Sequence, residues 1–136
     1  MVTTVDTLLL AATAAHLGFQ VTVTALVYPA LARVPAQEWA PAHEAHSRAV
    51  VPLVIVMYGT LVLAGGWALL SGPGGWTCVA LGAVAATFGV TACAARVHGR
   101  LGTGHDHEAV RRLLWIDRAR ALTATIALAA AVLAVR

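Results

Sequence analysis

Apolar residues run almost unbroken through four stretches of the chain, and short polar segments separate them. A hydrocarbon layer about 30 Å thick takes roughly 20 apolar residues per helix. The pattern therefore predicts four membrane helices, at about residues 5–33, 37–70, 76–97 and 107–135. Tyr28-Pro29 should bend or fray the last turns of the first helix, and Pro35 stops it. The second helix starts between Ala36 and Pro41 and opens with an amphipathic prelude over 42–48. Ser71-Gly72-Pro73-Gly74-Gly75 reads as a turn. In the third helix, Gly82, Ala85, Ala86, Gly89 and Ala92 form a small-residue set of the kind that lets membrane helices approach closely. The segment 98–107 reads as the next loop, and Asp106 and Glu108 suit the positive end of a fourth helix. The expected fold is all-α, a single-domain integral membrane up-and-down four-helix bundle over 1–136.

Polar positions give the bundle an inside. At about 100° per residue, Thr13, His16, Gln20 and Thr24 share one side of the first helix. His43, His46, Val50 and Met57 share a side of the second, Thr87, Thr91 and His98 of the third, and Leu113, Asp117, Arg120 and Ala124 of the fourth. The interior should therefore be polar near one membrane face and apolar toward the other. Pro52 leaves the carbonyl of Arg48 without a helical donor, so the second helix should kink and splay the bundle beside His46.

Composition agrees with a bilayer: 60% of the 136 residues are apolar and 11% charged, with a mean hydropathy of +0.80. All nine basic residues are Arg, and Ala and Val dominate the apolar set, as in a GC-rich bacterial genome. Eight Arg (33, 48, 96, 100, 111, 112, 118 and 120) fall toward one face and only Arg136 toward the other. The positive-inside rule makes the Arg-rich face cytoplasmic, in a bacterial inner membrane. The basic balance does not point to nucleic acid, because no soluble module carries a basic groove. Asp6 stands where a signal peptide would be basic, so the first helix is expected to be retained. Cys78 and Cys93, fifteen residues apart on one helix, cannot bridge each other.

His43 and His46, at i and i+3, are spaced to share a metal ion on one helix face. With His98, and with Asp117 or Glu44 supplying an oxygen, they would make a mixed nitrogen and oxygen set suited to iron, copper or zinc. The metal ligands of this reading are His43, His46, His98 and Asp117, with iron or copper as cofactor. The competing structural reading has interfacial histidines bonding lipid headgroups or carboxylates, with Arg48 and Arg120 in ion pairs. His105-Asp106-His107 reads as a solvated turn. His16 lies near mid-membrane, where a histidine has no cheap solvation, and Gln20 follows it one turn on. With Tyr58, these two are the candidate substrate contacts; His46, His98, Asp117 and Arg120 are the candidate catalytic residues. Nucleotide loops, HExxH, GxSxG and haem-attachment motifs are absent.

Three segments carry a resemblance: 20–31 with its Tyr28-Pro29; His43-Glu44-Ala45-His46-Ser47-Arg48 followed by Pro52; and Val97-His98-Gly99-Arg100-Leu101 through Arg111-Arg112-Leu113 to Asp117 and Arg120. They resemble a group of four-helix bacterial membrane proteins, which is in turn distantly similar to the membrane family that includes anthrone oxygenases. That family's pattern has Pro-His at the end of helix three and Asn-Trp in helix four, where this chain has Val97-His98 and Asp117-Arg118. His98 and Arg120 match, and Asp117 replaces an amide with a carboxylate. The resemblance implies an oxidoreductase or oxygenase acting on a lipophilic small molecule. Either a metal or a cofactor-free carbanion meeting oxygen would serve, with His46, His98 or Asp117 as base. Two other classes stay open. One is a binding or transport component with a polar path along His16, Gln20, Thr24, Thr87 and Thr91, working as a homo-oligomer. The other is a scaffold whose Arg-rich face docks a partner or anionic membrane lipid.

Overall fold

The computed structural model describes residues 4–136, and among these there is no strand. Four helices follow one another up and down: α1 (Thr4–Leu31), α2 (Trp39–Leu70), α3 (Gly75–Leu101) and α4 (His107–Ala134). A single turn at Ala36–Glu38 leads into α2. The tight link from α2 to α3 uses Gly72 at φ +76°, which an L side chain rarely adopts. The protein is an integral membrane four-helix bundle.

Large apolar side chains lie outside rather than inside. Leu63 is 75% exposed and Leu70 89%, and Leu26, Leu53 and Ile55 also point outward. A water-soluble bundle would hide these residues, whereas a bilayer solvates them. α1, α3 and the segment Ala36–Leu70 are each long and apolar enough to cross a membrane. α4 falls outside that group because Glu108, Arg111, Arg112, Asp117, Arg118 and Arg120 crowd its first half. It completes the bundle by packing most extensively on α3 and next on α1.

The two ends of the bundle are built differently. Away from the Arg-rich face the core is made largely of alanine, with Ala68, Ala80, Ala127, Ala130 and Ala131 set around Leu9, Leu61 and Val84. Small side chains let the backbones approach, and dispersion contacts hold them there. Toward the Arg-rich face the core has bulkier members, including Tyr28, Leu31, Trp39, Leu101 and Leu113. The indole Nε1–H of Trp39 donates to the carbonyl of Leu101 at 2.9 Å and staples the start of α2 to the end of α3.

Three local features depart from the sequence reading. Around Val23–Val27 the bonds of α1 widen to a π turn, and the Tyr28 amide reaches back to the Val23 carbonyl. Pro29 has no N–H for the Ala25 carbonyl, so the extra residue is accommodated immediately before it. α3 runs to Leu101 instead of stopping near residue 97, which places His98 on the helix and not in a loop. The small set on α3 faces the wrong way for packing within the bundle. Gly82, Ala85, Ala86, Gly89 and Ala92 are exposed, and Ala80, Val84, Thr87 and Ala94 are buried instead. Pro52 lies within a continuous α2, whose contact with α3 is sparse.

Asp106 caps α4, accepting from the backbone N–H of Glu108 at 2.9 Å and of Ala109 at 3.3 Å. Asp106→Ala should therefore destabilise the protein by about 1 kcal/mol, read as a lower unfolding midpoint in a denaturant titration of the nanodisc-embedded protein. An unchanged midpoint would show that the cap contributes nothing in the membrane.

Candidate functional site

Every helix supplies polar side chains to the Arg-rich half of the interior. On α4, Asp117 and Arg120 are one turn apart and only 1% and 5% exposed. Arg120 Nη2 donates to Asp117 Oδ1 at 2.6 Å, and Gln20 Nε2 from α1 donates to the same oxygen at 2.8 Å. Gln20 also donates to Thr24 Oγ1 at 3.1 Å. The carboxylate is thus neutralised by a guanidinium and held by an amide, the arrangement that makes a buried charge tolerable.

The histidines come together from α2 and α3. His43 Nε2 and His98 Nδ1 lie 2.8 Å apart, within hydrogen-bond distance. The His46 ring stacks on that of His98, with centroids 5.5 Å apart and planes 7° apart. Trp39 stacks on the outer side of His43 at 5.5 Å. Tyr28, brought inward after the π turn, has its ring 5.8 Å from His46 and 6.1 Å from His98, and the Arg120 guanidinium carbon lies 5.9 Å from the same ring.

These groups form one end of a cavity of about 450 Å³ between α2 and α3, within the range of small-molecule sites. Tyr28, His43, Ser47, Thr91, His98 and Arg120 give it polar points, and Phe19, Val50, Val54 and Ala94 give it an apolar body. Val51, Ile55 and Ala95 also line it and are exposed on the outside of the bundle, so it opens sideways where α2 and α3 part. A second space of about 480 Å³ between α1 and α2 is lined mainly by apolar residues, with Thr60 and Trp67 carrying its polar groups.

Among the described residues, five buried side-chain atoms have no hydrogen-bond partner: His16 Nε2, Gln20 Oε1, His46 Nε2, His98 Nε2 and Arg120 Nε. Native interiors leave few such atoms, and each calls for an explanation. Two of them, on His98 and Arg120, belong to residues that line the cavity.

The structure distributes the expected site residues unevenly. It brings His43, His98 and Arg120 to the cavity wall, with His46 stacked behind His98. Asp117 lies behind Arg120 and faces Gln20. His16 and Tyr58 meet edge to face at 5.1 Å, and the Tyr58 hydroxyl is bonded to Thr91, so they lie one residue removed from the cavity. The ion pairs of the structural reading are both present, Arg48 with Glu44 on the surface and Arg120 with Asp117 inside. Among the described residues no group of three His, Cys, Asp or Glu side chains is arranged to hold a metal ion. His43 turns toward His98 instead of sharing an ion with His46, and Asp117 spends its oxygen on Arg120 and Gln20. His105 leans on Trp39 at 4.8 Å, and Asp106 serves as the cap.

Tyr28, Trp39 and Ser47 were not among the expected site residues, and Thr91 was expected only on the polar path of a binding or transport component. For Tyr28 the signal was the adjacent Pro29; for Thr91 it was membership of the inner stripe of α3. Comparison of the chain with protein-family models, curated proteins and solved structures finds no match in any of the three.

Arg120→Met should destabilise the fold by about 3 kcal/mol or more, because it strands the Asp117 carboxylate in the interior. The double variant Asp117→Leu with Arg120→Met should recover part of that loss, measured by the same denaturant titration. A double variant at least as unstable as Arg120→Met alone would show that the carboxylate is not what the arginine supports.

Proposed function

We propose that this protein is a membrane-embedded enzyme that oxidises a lipophilic small molecule with molecular oxygen, by base chemistry at the histidine cluster. The observation that carries the reading is the cavity between α2 and α3. It has an apolar body, it opens toward lipid, and at its inner end stand His98, whose Nε2 has no protein partner, and the donors Arg120 and Tyr28. The resemblance to the anthrone-oxygenase family belongs to the same proposal, as does a bacterial inner membrane with the Arg-rich face cytoplasmic.

In this reading the substrate enters sideways from the bilayer and seats its ring system against Val50, Val54 and Ala94. An oxygen on it accepts from Arg120 Nε–H, a group that can only donate. His98 Nε2 takes a proton from a CH₂ conjugated with the carbon that bears that oxygen, so that charge reaches the oxygen, and the carbanion gives its electron pair to dioxygen. The net change is a CH₂ converted to C=O, with one dioxygen consumed and one water released. Arg120 favours the negative charge that develops on the substrate oxygen, and the dry surroundings strengthen that interaction. The metal alternative, with iron or copper on His43, His46, His98 and Asp117, would require the His43–His98 contact and the Asp117–Arg120 pair to open.

The test is oxygen uptake by the nanodisc-embedded protein, purified without an affinity tag, across a panel of lipophilic ketones and phenols with acidic C–H bonds. At least one compound should be turned over, and His98→Gln should reduce the rate by roughly 10²–10⁴-fold, with elemental analysis showing no stoichiometric metal. Saturable binding without oxygen uptake would instead make the protein a carrier of such molecules. Stoichiometric iron or copper, lost in a His46→Ala, His98→Ala double variant, would replace base chemistry with metal chemistry.

A further inference from the structure

We infer that His43 and His98 act together as a two-imidazole proton relay joining the cavity to the Arg-rich membrane face, with His43 a positioning and relay residue behind the base His98. The inference rests on the proposed function only in taking the cavity as a place where protons are released and returned.

The geometry leaves one proton for the 2.8 Å contact between His43 Nε2 and His98 Nδ1. A neutral imidazole carries one N–H, so the tautomers of the two rings are tied together. With the proton on His98 Nδ1, His98 Nε2 presents a lone pair, His43 Nε2 accepts, and His43 Nδ1 carries the second N–H. A proton arriving at His98 Nε2 then lets the Nδ1 proton cross to His43 Nε2, and the Nδ1 proton of His43 leaves. No charge stays behind, one proton enters as one departs, and both rings end in the opposite tautomer. Return of a proton along the same path restores the start. An oxidation that removes a proton from carbon and later protonates a leaving oxygen uses the pair once in each direction.

The surroundings suit transfer without ring rotation. His98 is covered by the parallel His46 ring, and His43 is covered by Trp39, itself anchored to Leu101. His98 Nε2 is buried and unpartnered. His43 is in the second turn of α2, where its neighbours Ala40, Pro41 and Glu44 are exposed. The other titratable or charged groups around the pair are Tyr28 from α1, His46 from α2, Arg120 from α4 and His105 beyond Trp39. Among the described residues, none of these groups is hydrogen-bonded to His43 Nε2 or His98 Nδ1.

The experiment needs no substrate. In nanodisc-embedded protein labelled with ¹⁵N-histidine, the wild type should show a through-bond ¹⁵N–¹⁵N coupling between His43 Nε2 and His98 Nδ1. Exchange of the His98 imidazole proton with water should slow on the order of 100-fold in His43→Gln, whose amide still donates to His98 Nδ1 but passes no proton on. Absence of the coupling in the wild type overturns the relay even if the variant fails to fold, and so does unchanged exchange in a folded His43→Gln. Coupling with slowed exchange, but no oxygen uptake on any compound, would sustain the relay and sink the oxidase reading. Oxygen uptake that depends on His98, with exchange indifferent to His43, would do the reverse.

Discussion

The ion pair between Arg120 and Asp117 sets the terms for the rest of the interior. A charged side chain in the core of a membrane bundle has no water to share its field, and desolvation is tolerated only when an opposite charge and hydrogen bonds replace the lost hydration. Asp117 receives both from Arg120 and Gln20, which links α4 to α1 across the bundle. Asp117 engages one nitrogen of Arg120, a residue that lines the cavity, and Arg120 Nε has no protein partner. The pair is therefore a support of the fold at the edge of the cavity.

How much of this was legible follows from the kind of force involved. Four helices and an inward polar stripe on each are consequences of burying polar groups away from lipid, which acts through spacing along the chain. Asp117, Arg120, Gln20, His16 and Thr13 accordingly lie inside, as their periodicity required. The small residues of α3 did not follow. Lipid tails and alanine-lined helix faces are equally apolar, so hydropathy cannot say which side a glycine or alanine takes, and Gly82, Ala86 and Gly89 face outward. The end of α3 was equally hidden, because the staple holding it to Leu101 comes from Trp39, across the bundle.

Tyr28 shows how one backbone irregularity changes a site. In a regular helix, eight residues separate it from Gln20 and place it about 80° away around the axis. The π turn inserts one residue without advancing the face, which brings Tyr28 within about 20° of Gln20 and so onto the side of the bundle interior. No stripe drawn with a constant period includes it, although the proline that provokes the insertion is its neighbour. The His43–His98 contact was hidden for a related reason: i and i+3 spacing on α2 suggested a pair within the helix, while tertiary packing turned one member toward α3.

The two halves of the bundle fill their interior differently. In the alanine-rich half, buried hydroxyls such as Thr13 bond to the helix's own carbonyls, and the Thr77–Asp6 hydrogen bond lies at its edge. In the other half, the Trp39–Leu101 and His43–His98 contacts tie α2 to α3 at the Arg-rich end, and beyond them the two helices leave the cavity between them, with Pro52 removing one amide from α2. Two nitrogens without a protein partner, on His98 and Arg120, belong to residues that line this cavity, and each sets a condition for what could fill it. A ligand that carries an acceptor for Arg120 and a proton for His98, on a body apolar enough to dissolve in lipid, satisfies both conditions. Filling the gap with larger apolar side chains would satisfy neither, since it would bury the same nitrogens against carbon.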